Sequence, residues 1–226
     1  MKKYHFFILA VLGLQTLSLT AQTYEKRTIK AGENWFDYAY YLFPSFTDGT
    51  ARIKDGGQLK SKMNFNMLLC QMQFINAHGD TLNIANPSEI DSIRLNNKSF
   101  FYKNGYFEIL DEYGSVKLMV SRSVKYEPVK IGAMGIPSHG TSIDSYATLR
   151  DQNDTKLLIL NEDLDVVLES SYFLTKNNGD LVVASKSNFL NLFEKNKQSI
   201  EGYLKLNKPN FNKQSDLQKL FDFCNN

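Results

Sequence analysis

Apolar and polar side chains alternate most clearly between residues 63 and 74. The apolar positions keep one phase up to Met67 and resume on the opposite phase at Cys70. Side chains of a strand point to its two faces in turn, so a change of phase implies a turn or a bulge. Two strands with a break near Leu69 are therefore predicted. The side chains that these strands should bury are Phe65, Met72 and Phe74.

Similar β-type runs continue to Tyr126 and reappear between Lys156 and Ala184. Pairs of residues that accept positive φ separate many of these runs, as expected for tight turns. Strands at this spacing indicate an antiparallel meander, a sandwich or an open barrel. The predicted fold class is therefore mainly β with short C-terminal helices. The turn pairs are Asp48-Gly49, Asp55-Gly56, Gly79-Asp80, Asn104-Gly105 and Asn178-Gly179.

After Ser185 the apolar period becomes helical, and three short apolar stripes follow. Ser215 opens the last stripe, with Gln218 three residues later at the spacing of a capping box. The segment 185–226 is therefore predicted to be a short helical C-terminal region. The last stripe, spaced i, i+3, i+4 and i+7, consists of Leu217, Leu220, Phe221 and Cys224.

Residues 127–155 interrupt the strand pattern with Gly, Pro, Ser and Thr. Loops longer than about 12–15 residues are uncommon inside compact domains and often carry function. We therefore interpret 127–155 as a long loop within a β-rich domain that covers residues 23–184. This loop is a candidate lid, binding loop or disordered excursion.

Residues 1–22 have the pattern of a secretory signal peptide. Lys2 and Lys3 precede an uncharged apolar run, and small residues appear at its end by Ala21. A membrane-spanning helix needs about 20 apolar residues, which neither this run nor any later one supplies. We expect cleavage near Ala21 and export to the periplasm, the outer membrane or the extracellular space. No transmembrane segment is expected after signal removal.

The charge balance disfavours a nucleic-acid partner. The formal net charge of +2 is accounted for by Lys2 and Lys3, which leaves the rest of the chain neutral. Neutralisation of phosphates requires a clustered basic surface, and such a composition does not supply one. A hydrophobic content of 42% is instead typical of a folded globular chain.

Three short motifs give the chain a resemblance. They are Phe46-Thr-Asp-Gly-Thr50, Lys54-Asp-Gly56 and Asn64-Phe-Asn-Met-Leu68. Together they resemble a group of exported bacterial β-rich proteins of no known function, with the pattern F-x-x-G-T, K-x-G and N-[YF]-N-x-L. The resemblance implies export and a β-rich body. It implies no catalytic residues.

An aromatic block precedes Pro44, between residues 35 and 43. Aromatic side chains at a surface form platforms for ligands or protein partners, and in a core they pack against a sheet. Both interpretations stay open from the sequence. The candidate ligand or partner contacts are Trp35, Tyr38, Tyr41 and His139.

Residues that could support catalysis are few. His139 lies in a Gly-rich and Ser-rich segment beside Ser138, with Asp144 nearby. Ser, His and Asp can build a hydrolase site, but no G-x-S-x-G elbow is present. Two histidines after the signal cannot complete a three-His zinc site. No catalytic, metal or cofactor residue is assigned.

Two cysteines remain outside the signal segment, Cys70 and Cys224. An exported protein meets an oxidising compartment, which would permit a disulfide between them. The alternative is that both are buried as small apolar side chains.

These observations lead to three functional hypotheses. The first is an exported, non-catalytic envelope protein that acts through protein or ligand contacts. The second is a small-ligand-binding β-barrel gated by loop 127–155. The third is a hydrolase that uses His139. The partner is either an unknown envelope protein or a small ligand, and no cofactor is expected.

Overall fold

The computed structural model describes residues 23–30, 40–128, 130–131, 137–138, 163–177 and 179–225. It confirms a mainly antiparallel β fold with three short C-terminal helices. The strands are β1 (Thr23–Ile29), β2 (Thr47–Ile53), β3 (Gln58–Asn66), β4 (Gln71–Ile75), β5 (Thr81–Asn83), β6 (Ile90–Leu95), β7 (Lys98–Tyr102), β8 (Tyr106–Tyr113), β9 (Val116–Pro128), β10 (Lys130–Ile131), β11 (Pro137–Ser138), β12 (Leu164–Lys176) and β13 (Val182–Val183). The helices are α1 (Lys186–Leu192), α2 (Lys197–Asn207) and α3 (Gln214–Asn225).

One large sheet contains all the described strands except β10 and β11. Its order is β1-β12-β9-β8-β7-β6-β2-β3-β4-β5, and β13 pairs with β12. Most neighbours in the sheet are also neighbours in sequence, which is the meander that the close strand spacing predicts. The exceptions are β6, which pairs with β2, and β12, which joins β9 to β1. β10 and β11 form a separate two-stranded ladder.

The predicted strand pair between residues 63 and 74 is confirmed. β3 and β4 pair antiparallel, with Phe65 opposite Met72 and Met63 opposite Phe74. Phe65 and Met72 are buried, but Phe74 is only partly buried. The prediction of full burial for Phe74 is wrong because β4 is flanked here by β5, a three-residue edge strand.

The pair Asp48-Gly49 lies within β2 and forms no turn. A Cβ atom at Gly49 would lie 2.5 Å from Leu95 Cδ2 and 2.8 Å from Met63 Sδ. Real Cβ atoms do not approach so closely, so the glycine is required by packing against the neighbouring strands. Gly56, in contrast, has a φ of +97° in the turn between β2 and β3, as the sequence predicts.

β9 and β12 are each continuous over 13 residues. The sequence predicts shorter runs, broken near residues 121–123 in β9 and at residue 170 in β12. The break is absent because main-chain pairing of the two strands continues from Val116 opposite Lys176 to Pro128 opposite Leu164. Asn177 follows β12 with a φ of +54°, in agreement with the predicted Asn-Asn-Gly turn.

Two apolar clusters share this sheet. The helix core joins one end of the β9–β12 pair to the three helices, and the sheet core lies against β2–β4 and β6–β8. The main buried members of the helix core are Leu118, Val120, Leu174, Phe189, Ile200, Leu217, Leu220 and Phe221. Those of the sheet core are Met63, Phe65, Met67, Met72, Ile93, Leu95, Phe100, Tyr106 and Val124.

The sheet curls around the sheet core. The backbone N–H of Val124 in β9 donates to the carbonyl of Met67, at the end of β3, over 3.0 Å. Four strands lie between β9 and β3 in the sheet order. A contact between their ends therefore requires the sheet to bend back on itself and enclose the apolar side chains.

Parts of the predicted loop and helical region are described. Glu127 and Pro128 belong to β9, and the β10–β11 ladder follows, whereas residues 139–162 lie outside the described residues, together with the predicted strand at 156–160. Ser185 caps the N-terminus of α1, and its hydroxyl accepts from Asn188 N. The helix α3 starts at Gln214, so Ser215 is not its cap.

Candidate functional site

Of the four predicted contact residues, the structure describes one. Tyr41 lies in the segment that leads into β2, whereas Trp35, Tyr38 and His139 lie outside the described residues, as does the predicted signal peptide 1–22. We refer to residues 40–46 as the aromatic segment. This segment lies over the β3–β4 strand pair, whose side chains form hydrogen bonds with it.

A row of amide side chains holds Tyr41 in place. The Tyr41 hydroxyl donates to Gln73 Oε1 over 2.7 Å, and Gln73 Nε2 donates to Asn83 Oδ1 over 2.8 Å. Asn66 Nδ2 donates to the same Gln73 oxygen over 3.3 Å. These residues stand on the face of β3–β5 opposite the sheet core, because strand neighbours alternate between the faces. The row therefore connects the aromatic segment to three strands.

Asn64 fixes the backbone of the aromatic segment. Its side chain is 1% exposed, donates to Phe43 O over 2.8 Å and accepts from Phe43 N over 3.1 Å. Asn66 Oδ1 accepts from the N–H groups of Leu68 and Leu69 and so shapes the β3–β4 turn. A buried amide is stable only when hydrogen-bonded. The motif Asn64-Phe-Asn66 thus has a structural role that the resemblance alone does not reveal.

The aromatic segment presents several half-buried rings. The ring centroids of Tyr40 and Tyr41 are 4.9 Å apart, and those of Tyr41 and Phe46 are 5.2 Å apart in an edge-on arrangement. Burial raises the pKa of both phenols, so each stays neutral at physiological pH. The result is an ordered, uncharged aromatic surface next to an amide row.

Inside the curled sheet, Tyr106 has an unusual hydroxyl group. The residue is 3% exposed, and its hydroxyl is the only buried side-chain oxygen or nitrogen of the described residues that lacks a hydrogen-bond partner. Burial, followed by the neighbouring Tyr102 phenol, raises its pKa. An unsatisfied buried hydroxyl destabilises a fold by about 1–3 kcal/mol. Its retention in an otherwise apolar cluster points to a partner atom.

A buried ionic group separates the two cores. Glu108 of β8 forms ion pairs with Lys98 of β7 and Arg122 of β9, and Arg122 Nη2 donates to Gln214 Oε1 of α3 over 3.1 Å. Glu108 and Arg122 lie between core positions on their strands, and both interrupt an apolar phase. We did not identify this group from the sequence. The detectable signal is a charged residue at a position where the pattern calls for an apolar one.

The other buried carboxylates also have cationic neighbours. Asp165 of β12 contacts Lys26 Nζ at 2.6 Å and accepts from the Thr28 hydroxyl over 2.7 Å. Glu169 of the same strand contacts Lys125 Nζ at 2.7 Å. These contacts bind β1 and β9 to β12. The arrangement is typical of carboxylates that stabilise strand pairing.

Two carboxyl groups meet where α3 packs on β8. Asp222 contacts Asp111, and the pKa of Asp222 is raised by burial and then by the neighbouring carboxyl. The folded state thus binds this proton more tightly than the unfolded chain does. Stability therefore falls as the pH rises from the unfolded pKa through the raised folded pKa.

Replacement of Asp222 by asparagine is expected to remove this dependence. The variant should be more stable than the wild type at about pH 7 and equally stable at about pH 3, where the carboxyl is protonated in both states. Urea unfolding at the two pH values measures the difference. The same change in unfolding free energy at both values would contradict the pairing with Asp111.

The two cysteines lie in different environments. Cys70 is exposed in the β3–β4 turn, and Cys224 is buried in the helix core, with no disulfide between them. Burial raises the pKa of the Cys224 thiol to about 12. Cys224 thus behaves as a small apolar side chain, the second of the two alternatives, whereas Cys70 does not.

In the described part of the chain, no three side chains of His, Cys, Asp or Glu come together as a metal site. No helix in these ranges is long and apolar enough to cross a membrane. Comparison with protein-family models finds no match, and comparisons with curated proteins and with solved structures find none at a significant level.

Proposed function

We propose that this chain is an exported binding protein of the cell envelope that acts on a protein partner through contacts and not through catalysis. The observation that carries the proposal is the aromatic segment, with half-buried rings held over a row of buried amides. Export is inferred from the pattern of residues 1–22. The partner contact is inferred from the chemistry and rigidity of the surface.

Rigidity favours binding because ordering a flexible segment on association opposes affinity. Here the hydrogen bonds of Asn64, Asn66 and Gln73 order the segment before any partner arrives. Tyrosine and phenylalanine are enriched at the centre of protein interfaces, where large rings are desolvated with little loss of side-chain entropy. The rings of Tyr40 and Phe46 are therefore the expected contacts.

The buried charged groups support a binding role over catalysis. Glu108, Asp165 and Glu169 each contact at least one cationic side chain within the fold. A catalytic carboxylate would instead face a cleft where it could reach a substrate. The hydrolase hypothesis depends on His139, which lies outside the described residues and stays a prediction.

The test is capture of a partner from the envelope fraction of the producing cell on the immobilised chain. The double variant Tyr40→Ala, Phe46→Ala should reduce capture of a stoichiometric protein at least tenfold. Tyr113→Ala is the matched control, since this residue is 59% exposed at the end of β8, away from the aromatic segment. Its capture should equal that of the wild type. Equal capture by the double variant, with unchanged unfolding, would refute the role of the segment.

A further inference from the structure

We propose that the sheet core is a binding site for a small, mostly apolar molecule with one neutral oxygen, and that the Tyr106 hydroxyl is the hydrogen-bond donor to that oxygen. It assigns a ligand-binding residue, Tyr106, to the hypothesis of a small-ligand-binding β-barrel. It goes beyond the proposed partner contact, because the aromatic segment lies over the opposite face of β3–β4.

Within the described fold, the Tyr106 hydroxyl lacks a hydrogen-bond partner. Tyr106 is only 3% exposed, yet no described side chain or backbone group accepts a hydrogen bond from its hydroxyl or donates one to it. The other buried amides and carboxylates of the described chain have such partners, including Asn64 and Glu108. A buried polar group that stays unpaired within a protein is commonly satisfied by a water molecule or a ligand.

Other aromatic rings pack against the ring that bears this hydroxyl. The centroid of Tyr106 lies 4.9 Å from that of Tyr102 and 5.9 Å from that of Phe65, and both contacts are edge-on. Phe100 adds a fourth ring, 6.0 Å from Phe65. A site lined in this way offers dispersion contacts on all sides and a single polar contact.

Flexible side chains make the sheet core adaptable. Three methionines belong to the same core, Met63, Met67 and Met72. Methionine has an unbranched side chain with three rotatable bonds and a polarisable sulfur, so it can repack around a guest molecule. We assign the entry point of the ligand to Tyr102. Of the four rings, Tyr102 alone is only partly buried, and it lies at the β7–β8 hairpin in contact with Tyr106.

The site favours an uncharged ligand, because the members of the sheet core carry no charged side chain. At the border of the core, Glu108 forms ion pairs with both Lys98 and Arg122, so each cation already has an anionic partner. A charged ligand would have to be desolvated without a counter-ion, which is unfavourable. A ketone or an alcohol with an apolar chain supplies both the apolar contacts and the single neutral oxygen. The tyrosine hydroxyl would donate to its oxygen.

The experiment uses the purified chain with ¹³C-labelled methionine methyl groups, 2-nonanone as the probe and n-nonane as the probe without oxygen. Titration with 2-nonanone should move the signals of Met63, Met67 and Met72. The signal of Met119, which is buried but belongs to neither core, should stay in place. Tyr106→Phe should weaken binding of 2-nonanone about three- to tenfold, as expected for one hydrogen bond, and leave nonane binding unchanged.

Tyr172→Phe is the control variant, because it removes a hydroxyl from a buried tyrosine of the helix core and leaves the proposed site intact. Its affinity for 2-nonanone should equal that of the wild type. The proposal is overturned if saturating 2-nonanone leaves the three methionine signals in place. It is also overturned if Tyr106→Phe binds the ketone as tightly as the wild type, since the hydroxyl would then bond only to a buried water.

Discussion

Replacement of Glu108 by alanine is expected to lower the free energy of unfolding by about 3–5 kcal/mol. The carboxylate is almost fully buried and bonds to both Lys98 and Arg122. Its removal leaves two cations close together at low exposure, and Arg122 is the more buried of them. The variant also loses the connection through Arg122 to Gln214 of α3. Denaturant unfolding at neutral pH, followed by circular dichroism, measures the change.

Two further variants distinguish the cost of leaving a buried charge without its partner from the loss of an ordinary surface ion pair. Glu112→Ala removes a half-exposed carboxylate from an ion pair with Lys117 and should change stability by less than about 1 kcal/mol. The double variant Glu108→Met, Arg122→Met removes the carboxylate and the more buried of its two cations, leaves only the more exposed Lys98 without its partner, and should recover much of the loss. A change below about 1 kcal/mol for Glu108→Ala would mean that water reaches the carboxylate.

Local sequence patterns were sufficient to predict the class of the fold and many of its turns. The change of phase between Met67 and Cys70 located the β3–β4 turn, and the helical period after Ser185 located the helices. Both signals depend on residues only a few positions apart. They succeed because side-chain direction repeats every two residues in a strand and every 3.6 in a helix.

Features that depend on distant residues were missed. Gly49 in the motif Asp48-Gly49 reads as a turn residue, and only the positions of Leu95 and Met63 explain why it lies within a strand. The pairing of β2 with β6, and of β1 with β12, joins segments that no local pattern connects. A charged residue on an apolar phase, such as Arg122, is a visible signal, but its partner Glu108 is not identifiable without the strand register.

The candidate site was predicted in part. The aromatic block indicated Tyr41, whereas Trp35, Tyr38 and His139 stay predictions because they lie outside the described residues. The supporting amides could not be assigned a role from sequence, since Asn is common in turns and on polar strand faces. Tyr106 was likewise indistinguishable from an ordinary core aromatic residue. Only the absence of a hydrogen-bond partner within the described fold sets it apart.

Replacement of Phe189 by alanine is expected to lower the free energy of unfolding by about 3–5 kcal/mol. Phe189 is 0% exposed, stacks on Phe193 with a centroid separation of 6.2 Å and lies 6.2 Å from the ring of Phe211. It belongs to the cluster that joins the helices to β9 and β12. Loss of the ring leaves a cavity between elements that are already fixed by the sheet, so the site cannot collapse fully around the alanine.

The same variant tests whether the helices and the sheet unfold as one unit. Because the helix core includes Leu118 and Leu174 of the sheet, a cooperative fold should lose circular dichroism of strands and helices at one shared, lower denaturant concentration. Leu206→Ala on α2 is the control, since this side chain is 84% exposed and should change stability by less than about 0.5 kcal/mol. Helices that unfold first, with the sheet transition unmoved, would show that the helical region only rests on the sheet. In that case Phe189 would stabilise the helices alone, and residues 185–226 would behave as a separate unit.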